Sequence, residues 1–206
     1  MAQGSIVVAG ATRPHPAERE NGDTWAVNWH GDICRIAVID GLGHGPEAAA
    51  AARAAVAVLQ ADPSLGPNQA LDRCHRALAG TRGAAISIAA IDLPSSQLRY
   101  AGIGNVEGEL WHEGNQQHLV AYRGIVGVTS RTAREFSFEL RDGWVLVMHT
   151  DGISRRFDLG ALRTDEQENA QAISDAVLHR WGRESDDATV VIACSSAPGR
   201  RCRPAG

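Results

Sequence analysis

The sequence lacks the features that mark several classes of protein. None of its apolar runs approaches the roughly 18 residues that a membrane-spanning helix requires. Basic residues are not in excess, since the formal net charge is −4, whereas nucleic-acid binders need such an excess to displace phosphate counterions. Residues 1–4 have neither the basic patch nor the apolar core of a signal peptide. We therefore predict a cytoplasmic protein that binds neither nucleic acid nor membranes.

Cysteine and histidine are sparse and poorly spaced for a zinc site. The chain has four cysteines and eight histidines, with no C-x-x-C pair and no H-x-H or H-E-x-x-H arrangement. We interpret Cys34, Cys74 and Cys194 as buried, reduced thiols because their neighbours are apolar, and Cys202 as an exposed residue. A metal ion in this protein would therefore have to be held by carboxylates.

Length and patterning predict one α+β domain. The 206 residues are 44% hydrophobic, enough for a single core, and we assign residues 1–194 to the domain and residues 195–206 to a disordered tail. Helices are expected where apolar residues recur at helical spacing, and strands where the period is two or an apolar run is short. The predicted helices are 46–60, 67–80 and 166–181, and the predicted strands are 5–9, 23–29, 33–39, 84–92, 97–103, 107–112, 117–122, 135–140, 144–150 and 189–194.

Acidic residues recur at the ends of the predicted strands. A carboxylate at the tip of a buried strand is costly unless a positive charge meets it, and no arginine or lysine stands directly next to these acids in the sequence. A divalent cation held by several such tips would supply the charge, and ligands that are all oxygen favour magnesium or manganese. The residues concerned are Asp23, Asp40-Gly41, Asp151-Gly152 and Asp186-Asp187.

A simpler interpretation of the same residues stays open on spacing alone. Asp-Gly is common in tight turns, where the aspartate bonds its own backbone and the glycine takes a positive φ. The pair Asp186-Asp187 could equally be the solvated entrance to a strand.

Six short motifs, in order along the chain, resemble the metal-dependent protein phosphatases (the type 2C or PPM group) of the bacterial SpoIIE-type branch. The resemblance runs from about Asp23 to Cys194, and it implies an αββα sandwich of two antiparallel sheets flanked by helices. The motifs are Asn21-Gly22-Asp23, Asp40-Gly41-Leu42-Gly43-His44-Gly45, Gly102-Ile103-Gly104-Asn105, Gly124-Ile125-Val126-Gly127, Thr150-Asp151-Gly152 and Asp186-Asp187-Ala188-Thr189.

The resemblance also implies a site with two manganese or magnesium ions. By motif position Asp40 would bridge both ions, the Gly41 carbonyl would bind one of them, and Asp151 and Asp186 would hold the other. Asp23 would orient the water that attacks the phosphate. Two cations about 4 Å apart can bind a phosphate, acidify a bridging water and stabilise an in-line transition state.

Two positions depart from the wider family. Asn105 stands where relatives often carry an aspartate, so the resemblance gives no support for a third metal ion. The histidine of the glycine-rich motif is His44, for which two roles remain open: protonating the leaving serine, or capping the following helix. No basic residue stands in an obvious position to clamp the phosphate, so we expect the metal ions to bind it unaided.

The function implied by the resemblance is hydrolysis of phosphoserine or phosphothreonine on a bacterial regulatory protein. The form of the glycine-rich motif is most like that of stressosome phosphatases, which implies a STAS-domain regulator of a stress-response partner switch as substrate. Two alternatives remain: a pseudophosphatase that binds a phosphorylated partner without turnover, and a phosphohydrolase of small molecules.

Overall fold

The computed structural model describes residues 5–112, 115–129, 133–162 and 169–196. Within these ranges ten strands form two five-stranded antiparallel sheets. Sheet 1 has the order β1-β10-β9-β6-β7, and sheet 2 has the order β2-β3-β4-β5-β8. The strands are β1 (Ser5–Arg13), β2 (Asp23–His30), β3 (Ile33–Gly41), β4 (Ala84–Asp92), β5 (Gln97–Ile103), β6 (Glu107–His112), β7 (Asn115–Leu119), β8 (Phe136–Glu139), β9 (Val145–His149) and β10 (Ala188–Ser196). The helices are α1 (Pro46–Ala61), α2 (Pro67–Ala77) and α3 (Ala170–Trp181), with a 3₁₀ turn at Leu159–Ala161.

The two sheets pack face to face, and helices cover their outer faces. On β3, Ile36 and Val38 point into the core between the sheets, whereas Ala37 and Ile39 point to the cluster formed with α1 and α2. Because successive side chains of a strand alternate between faces, burial on both sides requires the almost continuous apolar run seen in this strand. On the other side of the molecule, α3 packs on β1 and β10. These four layers confirm the predicted αββα sandwich of the α+β class.

Helix α1 lies unusually close to the end of β3. Its first residue is Pro46, which tolerates this position because the first backbone donors of a helix have no partner within it. Alanines fill the face against the sheet, with Ala48, Ala51 and Ala55 fully buried. A Cβ at Gly41 would lie 2.2 Å from the Ala48 carbonyl oxygen, so only glycine fits there. None of the described helices is long and apolar enough to cross a membrane.

The predicted elements match the structure best where turns separate short strands. The bounds predicted for β4, β5 and β6 are those observed, whereas β1 continues to Arg13 because it pairs with β10 along its whole length. Helix α3 begins at Ala170, where the Asn169 side chain accepts a hydrogen bond from the Ala172 amide. Strand β10 continues to Ser196, and the remainder of the predicted tail, together with residues 166–168, lies outside the described residues.

The cysteines differ in part from the prediction. Cys34 and Cys74 are buried and free, as expected. The interpretation of Cys194 as a reduced thiol is wrong, because this residue takes part in a disulfide. Its apolar neighbours indicated burial, but neighbouring residues carry no information about pairing with a cysteine elsewhere in the chain.

Candidate active site

Four of the predicted aspartates come together at one edge of the sandwich, two from each sheet. In sheet 2, Asp23 begins β2 and stands opposite Asp40 near the end of β3. In sheet 1, Asp151 follows β9 and Asp186 precedes β10, and these two strands are neighbours. Antiparallel pairing therefore brings the end of one strand beside the start of the next at this edge.

A cleft of about 360 Å³ opens at this edge. Asp40, Asp151 and Asp186 line it, together with Leu42, Gly43, His44, Ala85, Asn105, Gly124, Ile125 and Ser185. The other two predicted residues, Asp23 and Gly41, are buried and are not among the lining residues. The structure thus places three of the five predicted site residues on the cleft surface and two behind it.

Burial, and then mutual repulsion, disfavours the ionised form of these carboxylates in the absence of a cation. Burial, and then the charges of Asp23, Asp151, Asp186 and Asp187, raise the pKa of Asp40 to about 9. Burial is also the main cause that raises the pKa of Asp23 to about 7, against the lowering effect of a hydrogen bond from Thr150. The pKa of Asp186 is raised as well, mainly by burial and by the charge of Asp151. Only an added positive charge would let all of these groups ionise together.

The donor set fits divalent cations of the magnesium and manganese type. Among the described residues, no arginine forms an ion pair with Asp23, Asp40, Asp151 or Asp186. The three acids that line the cleft offer oxygen ligands, which hard cations prefer. The interpretation of these Asp-Gly pairs as simple turns does not explain why several buried acids share one edge.

Side chains from other elements hold two of the acids in place. Thr150 Oγ1 donates a hydrogen bond of 2.6 Å to Asp23 Oδ2, and itself accepts one from the Thr189 amide. Asn105 Nδ2 donates a hydrogen bond of 2.6 Å to Asp151 Oδ2. The sequence analysis assigned no role to Thr150, although the residue lies within a motif that was singled out.

The two acids of the Asp186-Asp187 pair have different surroundings. Asp187 is only 3% exposed, and its two oxygens accept hydrogen bonds from the His15 amide at 2.7 Å and the Gly22 amide at 3.1 Å. Asp186 is half-buried and lines the cleft. The contacts of Asp187 therefore tie the loop before β2 to the start of β10, while Asp186 faces the space where a cation would bind.

His44 lies on the cleft surface and does not cap α1. The N-cap residue of this helix is Gly45, and no side chain forms a capping hydrogen bond there. Instead His44 Nδ1 lies 2.8 Å from Glu18 Oε1, and the imidazole stacks on that of His15 with ring centroids 4.7 Å apart. The capping role considered for His44 is thus not what the structure shows.

An arginine that sequence reasoning missed lies beside the cleft. Arg82 pairs with Glu47 in the first turn of α1, and a Cβ at Gly43 would be 3.0 Å from Arg82 Nη1. Nothing in the local sequence around Arg82 signals this placement, because the contact joins segments that are distant in the chain.

The comparisons with known proteins give the same family. The family model described as stage II sporulation protein E (SpoIIE) matches residues 30–195. The protein RsbX of Bacillus subtilis (strain 168), named a phosphoserine phosphatase, is 24% identical over 161 residues, which cover 78% of this chain and 79% of RsbX.

Solved structures share the fold along nearly the whole chain. A structure of RsbX in complex with magnesium matches 95% of this chain and 100% of that one, with a TM-score of 0.81 at 22% identity. One reported as "The bacterial stressosome: a modular system that has been adapted to control secondary messenger signaling" matches 92% of this chain and 99% of that one, with a TM-score of 0.82 at 28% identity. The catalytic domain of the serine threonine protein phosphatase PstP, in complex with two manganese ions, matches 93% of this chain and 99% of that one, with a TM-score of 0.66 at 15% identity.

The family model covers most of the chain, the sandwich is that of the type 2C phosphatases, and an acidic cluster suited to divalent cations stands at its edge. The chain therefore belongs to the SpoIIE family and is a serine/threonine phosphatase of the PP2C type.

Proposed function

We propose that this phosphatase removes phosphate from serine or threonine of a folded regulatory protein, a STAS-domain component of a bacterial stress-response partner switch. The observation that carries the catalytic part is the convergence of Asp40, Asp151 and Asp186 on one cleft where, within the described part of the chain, no arginine forms an ion pair with them. The relative named phosphoserine phosphatase RsbX and the stressosome structure support the substrate class.

The residues that would hold two divalent cations are those expected from the motifs. Besides burial, the charges of Asp23, Asp151 and Asp186 raise the pKa of Asp40, so acids of both sheets act on this residue, which supports a bridging role. The Gly41 carbonyl, Asp151 and Asp186 complete the set. When bound, such cations supply charge for binding phosphate oxygens and lower the pKa of water. The related PstP structure, with two manganese ions, is consistent with this number.

The buried acid behind the cleft has a separate task in this proposal. Asp23 is held by Thr150 Oγ1 on one carboxylate oxygen, which fixes its orientation. Its carboxylate can then accept a hydrogen bond from the attacking water and keep that water in line with the phosphorus. Asn105 orients Asp151 in a comparable way through its amide. Precise placement of this kind is a large part of what a hydrolase contributes to its rate.

The rim of the cleft favours a protein substrate. Leu42 and Ile125 line the cleft, and Leu42 is 47% exposed. Val128, which is 56% exposed, lies beside Ile125 near Gly83. Apolar side chains exposed beside a polar site are typical of surfaces that contact another protein. A phosphorylated loop of a folded partner would place its phosphate at the acids while its flanking residues cover this rim.

A comparison of substrates tests the proposal. Values of kcat/KM are measured for a phosphorylated STAS-domain protein, for a phosphopeptide of the same sequence and for a sugar phosphate. We expect the folded protein to be the best substrate. The small-molecule alternative is favoured if the sugar phosphate is best, and the pseudophosphatase alternative if the phosphoprotein binds without turnover.

A variant of the rim separates recognition from chemistry. We expect Leu42→Ser to lower kcat/KM for the phosphoprotein while leaving that for a small synthetic ester unchanged. Val7→Ser is the matched control, since Val7 is also exposed but lies near the start of β1, and the site lies at the other end of that strand. Equal losses on both substrates would contradict a role for Leu42 in partner recognition.

A further inference from the structure

A second group of potential metal ligands lies outside the cleft, on the outer face of sheet 1. Glu107 and Glu109 are alternate residues of β6 and so project from the same face. His149, the last residue of β9, stands directly opposite Glu107. One ligand atom from each of the three residues lies within 4.8 Å of the others.

Two of these side chains are buried with an atom that has no partner. Glu109 and His149 are both 0% exposed. Among the described residues, Glu109 Oε1 and His149 Nε2 have no hydrogen-bond partner. Buried polar groups in folded proteins are nearly always hydrogen-bonded, so two such atoms in one cluster call for a ligand that joins them.

The remaining contacts orient these atoms as metal ligands are usually oriented. His149 Nδ1 lies 2.9 Å from the Thr150 carbonyl oxygen, which only accepts, so in a neutral ring Nδ1 carries the proton and Nε2 presents its lone pair. Histidines that bind metals typically donate their other ring N–H to a carbonyl or carboxylate in this way. Glu109 Oε2 accepts a hydrogen bond from Trp111 Nε1 at 3.1 Å, which leaves Oε1 for the cluster.

Two largely exposed, nitrogen-bearing side chains contact the cluster. Arg155 pairs with Glu107, and its side chain is 70% exposed. His118 Nδ1 is 3.6 Å from Glu109 Oε1, beyond hydrogen-bond distance, and its side chain is also largely exposed. The Phe157 ring lies perpendicular to the His149 imidazole, with the two ring centroids 5.4 Å apart. This contact covers the cluster with an apolar side chain.

We propose that Glu107, Glu109 and His149 form a second metal site, distinct from the cleft and specific for a transition ion of the zinc class. A donor set of one imidazole nitrogen with carboxylate oxygens suits zinc, whereas the oxygen ligands of the cleft suit magnesium or manganese. The site would act on the structure of the catalytic edge, because His149 directly precedes Thr150, which holds Asp23.

Zinc binding in a large excess of magnesium tests this proposal, because the magnesium would compete with zinc for the oxygen ligands of the cleft and competes poorly for an imidazole ligand. Zinc bound per chain is measured by equilibrium dialysis and elemental analysis on the full chain, with thermal unfolding recorded in parallel. We expect one zinc ion per chain and a higher unfolding temperature in its presence.

Conservative variants locate the ion. Glu109→Gln and the half-buried Glu107→Gln should each raise the Kd for zinc at least about tenfold, as loss of a ligand or of its support commonly does. Glu139→Gln, at an exposed carboxylate of sheet 2, is the control and should leave the Kd unchanged. Circular dichroism identifies any variant that fails to fold. If Glu109→Gln fails to fold, Glu107→Gln still decides the test.

A cleft variant excludes binding at the catalytic acids. Zinc binding should persist in Asp40→Asn and be lost when Glu107→Gln is added to it. The proposal is overturned if the wild-type chain retains no zinc, if Glu107→Gln binds zinc as tightly as wild type does, or if Asp40→Asn alone abolishes binding. The first of these results would mean that the cluster holds no metal ion.

Discussion

At the scale of single residues, the site depends on acids that burial and neighbouring charges hold at a raised pKa. Burial, and then the charges of four other aspartates, raise the pKa of Asp40 to about 9, above that of Asp23 at about 7. The position of each acid at a strand end could be predicted from the sequence. The partners that fix the acids, Thr150 for Asp23 and the backbone around His15 for Asp187, could not, because those contacts join distant segments.

Replacement of Asp40 should be the most damaging single change in the cleft. Asp40→Ala removes an acid on which the charges of four other aspartates act, and loss of a key electrostatic group typically costs about 100- to 1000-fold in kcat, which we take as the minimum here. Steady-state kinetics at saturating manganese measure it. Asp92→Ala is the control, because Asp92 lies at the opposite end of β4 from the site, and a similar loss there would contradict the assignment.

Replacing Asp186 and replacing the neighbouring Asp187 should have different effects. Asp186→Ala should weaken manganese binding, because this side chain faces the cleft. Asp187→Ala should instead lower the free energy of unfolding by about 1–3 kcal/mol, since two backbone amides lose their acceptor. Metal titrations and denaturant unfolding of both variants measure the two effects. Equal weakening of metal binding, or the reverse order, would refute the assignment.

At the scale of elements, the glycines after two of the acids are explained by close packing. The sequence suggested that Asp-Gly marks turns with a positive φ, but neither Gly41 nor Gly152 has one. A Cβ at Gly152 would lie 1.9 Å from the Asp187 carbonyl oxygen, and one at Gly41 would collide with α1 in the same manner. The strand ends were predictable, whereas this approach of a helix and a neighbouring strand follows only from packing.

A methyl group at Gly41 should therefore displace α1. We expect Gly41→Ala to lower the free energy of unfolding by at least about 1–3 kcal/mol, the usual cost of overpacking, and to reduce activity because Asp40 is its neighbour. Gly66→Ala is the control, since its φ is −67° and the nearest atom is the flexible end of Arg99 at 3.3 Å. Urea unfolding of the two variants checks this, and an unchanged Gly41→Ala protein would refute it.

At the scale of the whole molecule, the catalytic edge joins the two sheets. Sheet 2 contributes Asp23 and Asp40, and sheet 1 contributes Asp151 and Asp186, so a bound cation would bridge the halves of the sandwich. The layer order was predictable from the motif resemblance, and the strand registers and the disulfide of Cys194 were not. A ligand that binds only the folded state adds stability, about 2.7 kcal/mol at 100 times its Kd.

The stability of the metal-free protein should fall as pH rises. The folded protein holds protons on Asp23 and Asp40 more tightly than the unfolded chain, whose aspartates have a pKa of about 3.9. The resulting contribution to the free energy of unfolding is fully present below about pH 3.9. It is lost as pH rises through about 7 for Asp23 and about 9 for Asp40.

Thermal unfolding between pH 6 and pH 9 measures this loss. The unfolding temperature should decline in chelator, decline less with manganese, and decline less in metal-free Asp40→Asn than in the wild-type chain. A metal-free wild-type protein whose unfolding temperature is constant or rises over this range would contradict the mutual repulsion of these acids.

The most direct test of the account is the dependence of phosphate release on divalent cations. The rate of release from a phosphoserine protein is measured in chelator and then with increasing manganese or magnesium, with Asp40→Ala as the comparison. We predict no turnover in chelator, full recovery on adding either cation to the wild-type chain, and little recovery in the variant. Full turnover of the wild-type protein in metal-free buffer would contradict the central claim.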